Sequence, residues 1–364
     1  MHDAKITFEV IGENNFDLVT SVFKNLIEPN YGDQSNAIKK IKQAKDRKCE
    51  LVYHDGKAIG MVVYKTDLQD EYQFTKAFEI KTLLLFDRHS YKGFGKYLFQ
   101  RVEAVAKSMG AAVMISTVSD GLPKILKKMM MDNWHIVKAS KSGDCGVDVR
   151  VAVKDLEPLS TKCHRVLDFL HLCENIKTEK RHGKTSDNLP DRVASHSWRM
   201  AVGIMMVAPY LQHRIDVLKA IKLSLIHDLA EAVTGDQPYF YHAFDQKEKL
   251  QKDHREKLAM TAISEMLPVE SRLELISLWQ EYEDQQTVES KVVKAIDKIE
   301  AQIQHNEADI SVWNEFDVQN YASYLNKFCD IDELLICLKN IIQHESSKKL
   351  IKNNITLQKT ESIG

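Results

Sequence analysis

Two adjacent polar residues, His227 and Asp228, sit inside the apolar stretch Leu223-Ser-Leu-Ile-His-Asp-Leu-Ala-Glu-Ala-Val-Thr-Gly-Asp236. Leu223, Ile226 and Ala230 recur at helical spacing, so the segment reads as a helix turned towards a core. An ionised carboxylate in such a setting is costly unless it is paired or coordinated, and a bound cation relieves that cost. Glu231 lies one turn beyond His227, Gly235 is a residue that tolerates positive φ at a helix end, and Asp236 brings in another carboxylate. Two more polar residues interrupt apolar helical patterns elsewhere. They are His196, in Arg192-Val-Ala-Ser-His-Ser-Trp-Arg-Met-Ala201, and Asp297, in Val293-Lys-Ala-Ile-Asp-Lys-Ile-Glu300. Taken singly, each histidine reads as a structural one; as a spaced set, His196, His227, Asp228 and Asp297 read as metal ligands. Two imidazoles and two carboxylates suit a divalent ion of intermediate softness, Mn²⁺, Co²⁺, Fe²⁺ or Zn²⁺, and Mg²⁺ stays among the candidates. Such an ion acidifies water and neutralises phosphoryl charge, which is hydrolytic chemistry without a redox partner. Glu231 shares a face with His227 and is not needed as a ligand, so it is free to position or deprotonate water. Asp236 is a second carboxylate that can protonate a leaving group.

The elements that must hold these residues fall into two blocks. A chain of 364 residues has the length of two domains. Residues 1–155 mix strands and helices, with strands expected over Ile6–Val10, Glu50–His54, Ala58–Tyr64, Phe78–Leu85, Ala112–Val118, Trp134–Ala139 and Val147–Val153. Asp55-Gly56 between two of them is a hairpin signal. Glu157-Pro-Leu-Ser160 marks a boundary, with Ser160 as an N-cap for the next helix. Residues 160–345 read as helical almost throughout, with a polar loop at His182–Asn188, and residues 346–364 as a polar, frayed tail. The net charge of −2 gives no signal for a nucleic-acid partner. No apolar run approaches the ~20 residues that span a bilayer, so no membrane partner is expected. The first residues carry no signal-peptide pattern, and the six cysteines form no close C-x-x-C pair, so reduced thiols and a cytoplasmic location are expected.

The Ala-Ser-His-Ser box, Ile-His-Asp-Leu-Ala-Glu with Thr-Gly-Asp, and Glu281-Tyr-Glu283 leading into Thr287 and Ile-Asp-Lys-Ile-Glu occur in a fixed order. Together they resemble the HD-domain phosphohydrolases and, within them, the 5′-deoxynucleotidase branch. The resemblance implies an all-α helical bundle that removes the 5′-phosphate from (deoxy)nucleoside monophosphates with a divalent metal at His196, His227, Asp228 and Asp297. It also implies catalytic roles for Glu231 and Asp236. Arg181 corresponds to an arginine that relatives carry before the first histidine, whereas Lys184 stands where the family motif has an aromatic residue. Arg192 and Lys298 are further candidates for the substrate phosphate. The same ligand set serves branches that act on nucleoside triphosphates or signalling nucleotides, which is the alternative substrate class. Relatives of this kind are often dimeric, so a homodimer through the helical domain is implied.

In the first block, Lys92-Gly-Phe-Gly-Lys96 follows a strand and opens a helix, an arrangement in which backbone N–H groups cradle phosphate. The order of elements over residues 5–153 resembles the GNAT acyltransferases. That resemblance implies a mixed sheet and acetyl-coenzyme A held at Lys92, Gly93, Phe94, Gly95 and Lys96. Two departures stand out. Ser90 replaces the usual Arg or Gln, and Lys124–Met131 has no Tyr to protonate the leaving thiolate. Glu79 is the candidate base, acting through water. The alternatives are an acetyl-coenzyme A-dependent N-acetyltransferase with an accessory helical domain, or an acyl-coenzyme A sensor. The expected fold is therefore multidomain α+β, a GNAT-like α/β domain followed by an all-α HD bundle.

Overall fold

The computed structural model describes residues 6–43, 46–71, 74–87, 93–141, 147–237 and 246–355. The chain divides into two compact units, Met1–Thr161 and Lys162–Gly364.

The first unit begins with β1 (Ile6–Val10) and α1 (Phe16–Val22), which passes through a π-helical turn, Phe23–Ile27, into α2 (Glu28–Tyr31). There follow α3 (Ser35–Gln43), β2 (Arg47–His54), β3 (Lys57–Lys65), β4 (Gln69–Glu71) and β5 (Phe74–Leu85). The unit is completed by α4 (Phe94–Ser108), β6 (Val113–Ser119), α5 (Pro123–Met131), β7 (His135–Lys141) and β8 (Asp148–Asp155). The sheet order is β1-β2-β3-β5-β6-β8-β7, with β4 on β5. Among the described residues only the β5–β6 pairing is parallel, so the sheet is mixed as expected. The β2–β3 hairpin turns at Asp55 (φ 48°) and Gly56 (φ 77°), the two positive angles that a two-residue type I′ turn requires. Alternation of side chains covers both faces. Leu51, Met61 and Val63 pack with Val19, Phe23 and Ile41 on one side. Val52, Val62 and Tyr64 pack with Leu98, Val102 and Met129 on the other. The β5–β6 ladder stops at Ile80 and Ser116. Just past that point Lys81, Thr82, Thr117 and Val118 help to line a cavity of about 290 Å³.

The second unit contains α6 (Leu159–Thr178) from Lys162 onward, β9 (Lys180–Lys184), β10 (Pro190–Arg192), α7 (Val193–Val207), α8 (Val217–Ile226) and α9 (Glu231–Thr234). It continues with α10 (Gln246–Glu265), α11 (Val269–Asp284), α12 (Val288–Glu307), α13 (Glu315–Asn320), α14 (Asn326–Cys329) and α15 (Glu333–Lys352). Helix α12 forms the axis of the bundle. Its Val292, Val293, Ala295, Ile296 and Ile299 are buried against Met200 and Ile204 of α7, Leu223 of α8 and Ile342 of α15. Thr287 caps it by accepting from Ser290 N at 3.2 Å. A second core joins Leu229 and Ala230 to Met260 and Ile263 of α10 and Trp279 of α11.

Three local expectations need correction. The segment read as a polar loop, His182–Asn188, holds the end of β9 and the turn of the β9–β10 hairpin, and Gln304 of α12 donates to the Lys184 carbonyl at 2.7 Å. Helix α15 runs to Lys352 instead of ending at 345, because Ser346 and Leu350 continue its buried face at helical spacing. Ser160 lies inside the first turn of α6 instead of capping it. Among the described residues no helix is long and apolar enough to cross a membrane.

Candidate metal centre

Three segments far apart in the chain meet inside the helical unit. His196 comes from the first turns of α7, Asp297 from the middle of α12, and His227-Asp228 from the link between α8 and α9. The regular helix expected through His227 ends at Ile226. From there Leu229, Glu231 and Ala232 donate to Ile226, Asp228 and Leu229 carbonyls at 3.0–3.1 Å. These are the i→i+3 bonds of a tight turn, in which side chains three residues apart eclipse. Asp228 and Glu231 are therefore stacked along one edge.

Ligand atoms of His196, His227 and Asp228 lie within 4.8 Å of one another. His196 Nε2 is 3.3 Å from Asp297 Oδ1, and His227 Nε2 is 2.9 Å from Asp228 Oδ2. Neither contact is aligned as a hydrogen bond, and both Nε2 atoms are buried without a hydrogen-bond partner. Each imidazole is oriented through its other nitrogen: His196 Nδ1 meets Glu300, and His227 Nδ1 meets the Ser224 carbonyl at 2.9 Å. With the proton on Nδ1, each Nε2 presents a lone pair to the cluster, as a metal-ligating histidine does. Orphaned donor atoms in this arrangement fit a divalent cation, since a buried polar atom without a partner is otherwise destabilising.

The surrounding charges are graded. Burial works against ionisation of Asp297, but Lys298 at 2.9 Å, His196 and Lys294 hold its carboxyl well below the ordinary range. Tyr282 donates to Asp297 Oδ2 at 3.1 Å and accepts from Lys294 Nζ at 3.1 Å. Glu231 is in the opposite condition. It is buried, its Oε2 has no hydrogen-bond partner, and burial together with Asp228 and Asp236 pushes its carboxyl well above the ordinary range. Burial raises Asp236 too, against the pull of Arg181. Gly235 turns the chain with φ 73°, and the Asp236 N–H donates to Glu179 Oε1 at 3.0 Å.

Arg181, on β9, contacts Asp191 at 3.2 Å and Glu300 at 3.5 Å, and its charge acts on Asp228 and Asp297. Arg192 is oriented differently: it donates to the Thr178 carbonyl and so secures the end of α6. Glu300, Tyr282, Lys294 and Lys252 belong to the neighbourhood although their sequence context singled out none of them for a role. Glu300 and Lys294 stand three residues either side of Asp297, on the same helical face, and that spacing is the signal that was available. Lys252 of α10 reaches the site from a charge-rich helix, where nothing distinguished it from its neighbours.

In the first unit, Gly93 takes a left-handed conformation (φ 91°) as the N-cap of α4, whose first turn is Phe94, Gly95 and Lys96. Lys92 and Ser90 lie outside the described residues. Glu79 is buried in β5 with Lys81 against Oε1 and Lys65 Nζ 3.1 Å from Oε2. Burial alone would raise its carboxyl, but the two lysines outweigh that and hold it below the ordinary range. An ion-paired carboxylate of lowered pKa is a poor proton acceptor, so this geometry speaks against the expected role as a base.

The HD domain family model matches residues 173–358. The chain is 36% identical over 144 residues to the 5′-deoxynucleotidase HDDC2 of Homo sapiens, covering 39% of this chain and 67% of that protein. A solved structure assigned as a metal-dependent phosphohydrolase from Magnetospirillum magnetotacticum superposes with TM-score 0.45 at 22% identity, covering 52% of this chain and 97% of the other. Another, assigned to the GNAT acetyltransferases, from Desulfovibrio desulfuricans, gives TM-score 0.35 at 10% identity, covering 42% and 100%.

Proposed function

Because the chain belongs to the HD domain family, we propose that its helical unit is a metal-dependent phosphohydrolase. The reaction is removal of the 5′-phosphate from nucleoside monophosphates, deoxynucleotides foremost. Similarity to proteins named 5′-deoxynucleotidases supports that substrate class. The observation that carries the reading is the pair of buried, unpartnered Nε2 atoms beside Asp228, with Glu231 in the same tight turn.

His196, His227, Asp228 and Asp297 hold the ion, which when bound supplies Lewis acidity at the phosphoryl group and a more acidic water. Arg181 takes a phosphoryl oxygen, its guanidinium already held in place by Asp191 and Glu300. Lys298 and Lys294 offset the charge of Asp297. Glu231, stacked beside Asp228 in the tight turn and not needed as a ligand, accepts the proton of the attacking water. Asp236, its carboxyl raised above the ordinary range, either returns a proton to the departing 5′-oxygen or hydrogen-bonds the sugar. A homodimer through the helical unit and a cytoplasmic location belong to the same reading. Phosphate release from a panel of deoxy- and ribonucleoside monophosphates with Mn²⁺ or Co²⁺ tests it: the wild type turns over and Asp228→Ala does not. Release that survives Asp228→Ala removes this site from consideration.

For the first unit, the cavity past the end of the β5–β6 ladder and the Gly93 turn favour binding of acetyl-coenzyme A over transfer from it, because Glu79 is ion-paired. Labelled acetyl-coenzyme A should bind the full chain without acetylating an amine panel; amine acetylation lost in Glu79→Gln would reverse that reading.

A further inference from the structure

We infer that Glu300 is a positioning residue for the metal centre: it fixes the tautomer of His196 and joins that imidazole to the phosphate-binding Arg181. The inference rests on the reading of the site given above. Glu300 lies one turn after Asp297 on α12, so a single stretch of helix delivers both a ligand and the group that orients another ligand. Its carboxylate is buried, 4% exposed, and both oxygens are engaged. Oε2 meets His196 Nδ1 and, at 3.5 Å, Arg181 Nη1; Oε1 accepts from Arg199 Nε at 2.7 Å. Arg199 is itself fixed by Gln304 and Glu307, each at 2.7 Å, so the carboxylate has little freedom to turn away.

The two histidines are thus held unequally. His227 relies on a neutral backbone carbonyl, whereas His196 donates to a charged carboxylate. A carboxylate on the far nitrogen fixes the ring, keeps the proton off Nε2 and raises the donor strength of that atom. Since the same Oε2 also faces Arg181, the imidazole that holds the ion and the guanidinium that holds the phosphoryl group share one anchor. That arrangement sets the distance between ion and phosphate before substrate arrives.

Co²⁺ titration of the full chain, followed by the visible absorption of the bound ion, tests the assignment without substrate or turnover. Glu300→Gln should weaken Co²⁺ binding about 10- to 100-fold, the usual effect of losing such a partner, and change the absorption band. Arg199→Gln, which disturbs the outer charges but leaves the His196 contact, should bind Co²⁺ almost as the wild type does. Glu300→Asp, which keeps the charge but shortens the reach, should fall between, and it carries the test alone if Glu300→Gln does not fold. Equal affinity in the wild type and the Glu300 variants overturns the inference, as does an equal loss in Arg199→Gln, which would assign the effect to the charge network as a whole. A wild type that binds no Co²⁺ instead overturns the underlying metal reading.

Discussion

The two units each bury a cluster of charged groups, and the clusters are built on opposite principles. In the first unit the Glu79 carboxylate has a lysine against each oxygen and is held ionised below its usual range. In the second, Glu231 is also buried, but its nearest charges are the carboxylates of Asp228 and Asp236, and it is pushed well above its usual range. A carboxylate with a cation beside each oxygen is held ionised and has little left with which to move a proton. One buried among other carboxylates resists ionisation and is poised for chemistry. The contrast separates the unit that should bind from the unit that should turn over.

The largest expected effect lies on the catalytic side. Glu231→Gln should lower kcat for nucleotide dephosphorylation by about 10²–10⁴-fold, the usual range for losing a general base, while metal content stays at the wild-type level. The same change should leave the metal-free protein as stable as before or more so, measured by denaturant unfolding, since it removes an acid buried among other carboxylates. Glu79→Gln should do the reverse. Phosphate release stays unchanged, and the first unit loses about 1–3 kcal/mol, a buried-pair penalty discounted for the partial exposure of Lys81. If both substitutions affected stability and turnover alike, the contrast would collapse.

A smaller effect concerns acid. Because the folded carboxyl of Glu79 lies below the ordinary glutamate value of about 4.3, its stabilisation is fully present above that value and is lost as pH falls through the folded pKa. Unfolding of the first unit followed from neutral pH down to the acid limit should show a shallower loss in Glu79→Gln than in the wild type. Parallel curves would mean that the lysines do not hold this carboxylate.

Much of this architecture is legible in the sequence where a local rule has a single answer. Asp55-Gly56 demands a two-residue turn, alternation marks the strands on either side, and polar residues inside apolar helical runs single out His196, His227, Asp228 and Asp297, which the fold draws into one neighbourhood. What escapes depends on tertiary contact. Lys180–Lys184 has no alternation, and its strand rests on pairing with Pro190–Arg192 and on Gln304 of α12, which donates to the Lys184 carbonyl. The tightening from Ile226 to Ala232 leaves no compositional mark, since the same residues suit an ordinary helix. Arg192 and Arg181 look alike as cations near His196, and only the path of the chain sends one to the Thr178 carbonyl and the other to Glu300. Glu300 reads as one more acidic residue of an amphipathic helix until His196 is seen against it.

Elemental analysis of the full chain after loading with Mn²⁺ or Co²⁺ and desalting, set beside His227→Ala treated in the same way, tests the central claim most directly. One ion retained per wild-type chain and none by a folded His227→Ala protein is the predicted result. A wild type that retains no ion, or a variant that retains as much as the wild type, would contradict it.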